Sequence, residues 1–238
     1  QIIKEIKGLY RKKNRWTNQL FLMEGIKIID EAISNDVSLK YLIFSEKLLS
    51  TDEGLDFFGK IEKNQNLIKV HDKIIREISD TDNPQGILAV ASFIRRDSEE
   101  IHNIENPFLL FLDKVQDPGN IGTIIRTADA FNIDGIILSK GTVDAYNPKV
   151  VRATMGSIFR VPLYFCEDTI DFLKDAQNNG IRIITSSLKG SLLYNMKFTS
   201  GSILVIGNES QGVDTDIISL ADSVIKIPMP GKAESLNA

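Results

Sequence analysis

Six short apolar runs recur through the second half of the chain: Phe108–Leu112, Gly135–Leu138, Leu163–Phe165, Ile181–Thr185, Ile203–Ile206 and Val224–Ile227. Runs this short, apolar on both faces and interrupted by Gly, Pro or polar turns are strands of a sheet covered on both sides. Helical patterns separate most of them, so the order predicts an α/β fold built on a parallel sheet. In the clearest of these helices, Asp117–Phe131, residues Ile121, Ile124, Ile125, Ala128 and Phe131 trace one stripe. Thr123, Arg126 and Asp129 fall on the other side, and Asn120 is read as the N-cap. A sheet of this kind takes its ligands beyond the carboxyl ends of its strands, so the loops after these runs are the candidate site.

The first half reads as a smaller α/β unit over residues 1–94. Leu22, Ile26, Ile29 and Ile33 recur at helical spacing; strands follow at Tyr41–Phe44, Leu67–Val70 and Gly86–Phe93, with helices at Leu55–Ile61 and after a cap at Asp72. Residues 95–107 carry four acids and two arginines with no apolar period, and are read as a linker to a second domain at 108–238. In that second domain, Asn147 and Pro148 open a helix that carries Lys149 and Arg152.

With 238 residues, a net charge of −4, one cysteine and two histidines, the chain can hold neither a disulfide framework nor a thiolate cluster, and histidine-based metal or triad chemistry is disfavoured. No apolar run is long enough to span a membrane and no signal peptide is visible, so a cytoplasmic protein is expected, with a start before Gln1 that is missing. The net charge hides a basic cluster. Lys4, Lys7, Arg11, Lys12, Lys13 and Arg15 face a single acid, Glu5, and Trp16 follows directly. Such a cluster is either a solvated helix or a patch for nucleic-acid phosphates.

There is no three-glycine dinucleotide fingerprint and no P-loop. What remains is a polar set at the strand ends: Asn120 and Arg126, then Gly207, Asn208 and Glu209, then Ser235 and Asn237. Each alone has an ordinary reading as a cap, a snorkelling cation or a helix start.

In order, however, the segments Asp117–Phe131, ILVIGNESQGV and IPMPGKAESLN resemble the three signature motifs of the SpoU-type RNA 2′-O-ribose methyltransferases of the SPOUT superfamily. The basic start, FLMEG at Phe21–Gly25 and PQGILAV at Pro84–Val90 resemble that family's ribosomal-protein-like substrate-binding domain. The resemblance implies a carboxyl-terminal trefoil knot, which general folding rules would reject. It also implies S-adenosylmethionine held by Gly207, Ile227, Met229 and Leu236 with Thr185 nearby, a homodimer, and no metal. Arg126, Asn120, Glu209, Ser235 and Asn237 become the expected catalytic set, and Lys12, Lys13, Arg15 and Arg152 the RNA contacts. Ribosomal RNA is the expected substrate; transfer RNA, or a non-catalytic role in ribosome assembly, are the alternatives. The resemblance implies a further helix past Ser-Leu-Asn, so the end at Ala238 reads as truncation or disorder.

Overall fold

The computed structural model describes residues 1–195 and 201–230. It separates into two compact units: Gln1–Ile94 with Asp144–Arg160, and Arg95–Val143 with Val161–Ala238.

The first unit opens with two short helices, α1 (Ile2–Gly8) and α2 (Lys12–Asn18), followed by β1 (Leu20–Glu24) and α3 (Ile26–Ser34). Leu22 therefore lies in a strand rather than in the helix its spacing suggested. Gly25, at φ 103°, stops the strand and turns the chain into α3, and a backbone of that sign breaks any helix running through it. β2 (Leu39–Phe44), α4 (Asp52–Ile61), β3 (Leu67–Lys69), α5 (Asp72–Ile78) and β4 (Ile87–Ser92) follow. The sheet order is β1-β4-β2-β3, with β4 antiparallel to both of its neighbours. The cap of α5 is His71, whose side chain accepts from the Lys73 N–H, in place of the expected Asp72. Ile6, Leu9, Leu22, Ile43, Ile75, Leu88 and Val90 close one core.

The second unit begins inside the expected linker. There β5 (Arg96–Asp97) pairs with a later strand, and a 3-10 turn over Ser98–Asn103 buries Ile101. Next come β6 (Phe108–Leu112), α6 (Pro118–Ala130) and β7 (Gly135–Ser139). α7 (Pro148–Ala153) packs with the first unit, and the chain then resumes the sheet at β8 (Leu163–Cys166). α8 (Thr169–Asn178), β9 (Arg182–Leu192), β10 (Ser202–Ile206), α9 (Thr215–Leu220) and β11 (Ser223–Lys226) complete it. The seven strands run in the order β11-β9-β10-β6-β7-β8-β5 and every pair is parallel. Leu109, Phe111, Ile203 and Val205 alternate toward one face and pack against Phe172, Leu173 and Ile217 of α8 and α9. Because β6 and β10 are parallel neighbours, with Leu112 opposite Ile206, both deliver their following loops to the same edge.

In the first unit, α7 and its flanks are anchored by an ion pair and an aromatic cluster. Buried Arg15 donates from Nε to Asp144 Oδ2 at 2.8 Å and from Nη1 to the Leu9 carbonyl at 2.7 Å, and its Nη2 also pairs with Asp144. Trp16 Nε1 reaches the other carboxylate oxygen at 3.1 Å. Tyr146 stacks on Phe93 at 3.8 Å, beside Trp16 and Phe21.

Candidate active site

The turn between β6 and α6 and the turn after β10 meet at Glu209. Asp117 caps α6, its carboxylate accepting from the Asn120 N–H at 2.8 Å, and Pro118 occupies the first turn with its φ already set for a helix. Asn120 is therefore not the cap expected from the sequence. It sits one turn inside the helix, 7% exposed, and its Nδ2 is free to donate to Glu209 Oε1 at 3.0 Å. The same oxygen accepts from the Asp117 N–H at 3.1 Å, and Oε2 accepts from the Gln116 N–H at 3.2 Å. A carboxylate only accepts, so three donors aimed at one group select the ionised form. Desolvation pushes the Glu209 carboxyl up, but the bonds from Asn120 and from backbone N–H groups outweigh it and hold it below the usual glutamate value.

The loop carrying Glu209 is shaped by two glycines and an asparagine. A Cβ on Gly207 would lie 2.2 Å from the Gly212 carbonyl carbon and from the Val213 nitrogen, so the loop folds back too closely for any side chain. Asn208 and Gly212 exchange backbone hydrogen bonds of 3.0 and 2.9 Å. The Asn208 carboxamide accepts from the Ser210 and Gln211 N–H groups and donates to the Lys114 carbonyl at 2.8 Å. Sequence reasoning left Asn208 without a role. An Asn between Gly and Glu in a turn is the available signal, because its side chain can bond its own backbone two residues on.

The strands next to β10 carry the other residues expected at the cofactor. Thr185 is fully buried and its Oγ1 has no partner among the described residues. The β9–β11 ladder breaks right after it: Thr185 faces Val224, but the next pair is Ser191 with Ile225. A Cβ on Gly190 would meet the Ile225 carbonyl carbon at 2.5 Å. Beyond β11, Ile227 is 47% exposed and Met229 is partly buried. The buried Thr185 hydroxyl without a partner is the feature here that a bound ligand would satisfy, whereas the close contacts at Gly190 and Gly207 are backbone against backbone.

The remaining expected residues are scattered. Arg126 is exposed on α6 with Thr123 and Thr127, and no hydrogen bond or ion pair of its side chain is found among the described residues. Six residues beyond Asn120, it stands about 9 Å further along the helix axis. Ser235, Leu236 and Asn237 lie outside the described residues. Lys12 and Lys13 are exposed, with the Lys12 ammonium 5.9 Å from the Trp16 ring centre. Arg15 must be removed from the RNA-contacting set, because it is 2% exposed and spent on Asp144 and Leu9. Arg152 is half-buried and faces Asp80 at 3.4 Å and Glu24 at 3.9 Å, so it is occupied by acids. Among the described residues no group of three or more His, Cys, Asp or Glu side chains is placed to hold a metal ion, and no helix is long and apolar enough to cross a membrane.

Fold and site together define a parallel α/β protein whose polar loops gather at the carboxyl edge of its strands, joined to a smaller α/β unit. The family described as SpoU rRNA Methylase matches residues 107–238, and an MRM3-like substrate binding domain matches residues 1–89. The chain belongs to the SpoU rRNA methylase family. It is 29% identical to the 23S rRNA (guanosine(2553)-2′-O)-methyltransferase RlmP of Bacillus subtilis over 100% of this chain and 91% of that protein. Among solved structures, the AdoMet-bound rRNA methyltransferase from Sinorhizobium meliloti superposes with a TM-score of 0.84 at 32% identity, covering 99% of this chain and 88% of that one. The methyltransferase AviRb from Streptomyces viridochromogenes, in complex with AdoMet, gives 0.86 at 25% identity over 100% and 92%.

Proposed function

We propose that this protein transfers a methyl group from S-adenosylmethionine to the 2′-hydroxyl of a ribose in ribosomal RNA. The observation that carries the reading is the convergence of Asn120 and Glu209, 89 residues apart, at the carboxyl edge of the parallel sheet. Its relatives named as rRNA methyltransferases, and the AdoMet held by two similar structures, support it.

The bound cofactor supplies an electrophilic methyl carbon on a sulfonium. The ribose oxygen would take that methyl group in a single displacement, the electron pair of the broken bond returning to sulfur and the released hydroxyl proton passing to solvent water. No metal is needed for such a displacement; alignment and charge stabilisation are. Thr185, Gly207, Ile227 and Met229 would hold the cofactor, together with Leu236. A guanidinium is a fork of N–H donors with no acceptor, so the role of Arg126 is to clamp an RNA phosphate and stabilise the developing alkoxide. Asn120 and Glu209 fix the α6 start relative to the cofactor loop, and Ser235 and Asn237 would complete the ribose side. Lys12 and Lys13 would hold RNA outside the reaction centre.

A homodimer, a trefoil knot at the carboxyl end and a cytoplasmic location belong to the same reading. A substrate-binding domain at 1–94 and a methyltransferase domain at 108–238 belong to it as well. The test is to map ribose methylation across total RNA from cells with and without the protein. A single ribosomal site lost with the protein is the expected result. A lost transfer-RNA site would move the substrate, and an unchanged map would favour a binding role without turnover.

A further inference from the structure

Lys114 is the first residue of the turn between β6 and α6 after buried Asp113, and its φ of 55° is left-handed, a strained backbone for any residue bearing a Cβ. Three neighbours over-determine it. Its N–H donates to Ser139 Oγ at 2.9 Å, its carbonyl accepts from Asn208 Nδ2 at 2.8 Å, and its ammonium donates to Asp214 Oδ2 at 3.0 Å. Asp214 in turn donates its N–H to Asp113 Oδ2 at 3.0 Å. One residue thus ties together the loops after β6 and β10, the end of β7 and the cap of α9. Two and three positions further on, the N–H groups of Gln116 and Asp117 reach Glu209.

We propose that Lys114 is a positioning residue for methyl transfer: its ion pair with Asp214 holds the strained turn in the one place from which the Gln116 and Asp117 N–H groups meet Glu209. The pair is half-exposed, at 48% and 38%, so its function lies in orientation rather than in bulk stability. Mutual stabilisation follows the geometry: the bond to Asp214 raises the Lys114 ammonium, and the bond from Lys114 holds the Asp214 carboxyl down. The inference rests on reading the Glu209 junction as the methyl-transfer site, so one readout is chosen that does not depend on activity.

The experiment compares Lys114→Met, Lys114→Gly and Lys114→Arg in the full chain. Lys114→Gly accepts the left-handed backbone without strain and so remains folded while losing the pair. Amide hydrogen exchange at Gln116 and Asp117 is expected to accelerate about tenfold in the Met and Gly variants and to return to the wild-type rate in the Arg variant. With S-adenosylmethionine and ribosomal RNA, kcat is expected to fall about tenfold while KM for RNA stays within about twofold, again restored by Arg. Unchanged exchange with unchanged kcat in the Met and Gly variants would overturn the proposal. So would a raised KM with intact kcat, which would make Lys114 a phosphate ligand instead. If the wild-type protein transfers no methyl group, the proposed function fails, and the exchange rates still decide the role of Lys114.

Discussion

The side chain of Asn120 donates to Glu209 Oε1 at 3.0 Å, joining the start of α6 to the loop after β10. Backbone N–H groups of Gln116 and Asp117 complete the grip, so a single carboxylate fixes two loops that are remote in sequence.

Replacing Glu209 with Gln keeps the shape but turns one of the two accepting oxygens into an amino group that faces N–H donors. Methyl transfer is expected to fall by about 10–100-fold, since small misplacements of reacting groups are costly. The pH dependence follows from the lowered carboxyl. Its stabilisation is fully present above the ordinary glutamate value of 4.5 and is lost as pH falls through the lower folded value. Carbon NMR of the Glu209 carboxyl should show a midpoint below 4.5, and a midpoint at or above it would remove the three-donor grip.

Arg15 and Asp144 should behave as a buried pair. Arg15→Met leaves the Asp144 carboxylate uncompensated and is expected to cost about 3–5 kcal/mol, whereas the double variant Arg15→Met with Asp144→Leu should recover most of that loss. Urea denaturation midpoints of the two variants decide it. A silent Arg15→Met would mean that the pair contributes nothing.

RNA affinity should respond to Lys12 and Lys13. Changing both to Glu is expected to weaken RNA binding and to flatten the dependence of log affinity on log salt by about 0.7–0.9 for each phosphate that is no longer neutralised. The double variant at Arg15 and Asp144 should bind RNA as the wild type does. An unchanged slope after charge reversal at Lys12 and Lys13 would place the RNA elsewhere.

The parallel sheet was legible because six apolar runs and the helices between them repeat a local pattern that burial on both faces demands. What escaped depended on partners far away in sequence. Leu22 fitted a helical stripe, but Leu20–Glu24 pairs along β4, and no local pattern shows that partner. Arg15 resembled its exposed neighbours because Asp144, which buries it, lies 129 residues on. Arg95–Pro107 looked like linker because two residues of edge strand and a 3-10 turn carry too little apolar periodicity to register. At the site, Asn120 and Glu209 were found through motif order. Asn208 stood in the same polar set without a role and Lys114 did not stand in it at all, because what they do lies in backbone geometry and carbonyl contacts that residue type hardly encodes.

The central claim, that this edge of the sheet transfers methyl groups to RNA, is tested most directly at Arg126. Transfer of labelled methyl from S-adenosylmethionine to ribosomal RNA should be measured for the wild type and Arg126→Ala, with calorimetric titration of the cofactor into both. The expected result is robust transfer by the wild type, near-complete loss in the variant, and the same cofactor affinity in each. Full turnover by Arg126→Ala, or a wild-type protein that neither binds the cofactor nor methylates RNA, would contradict it.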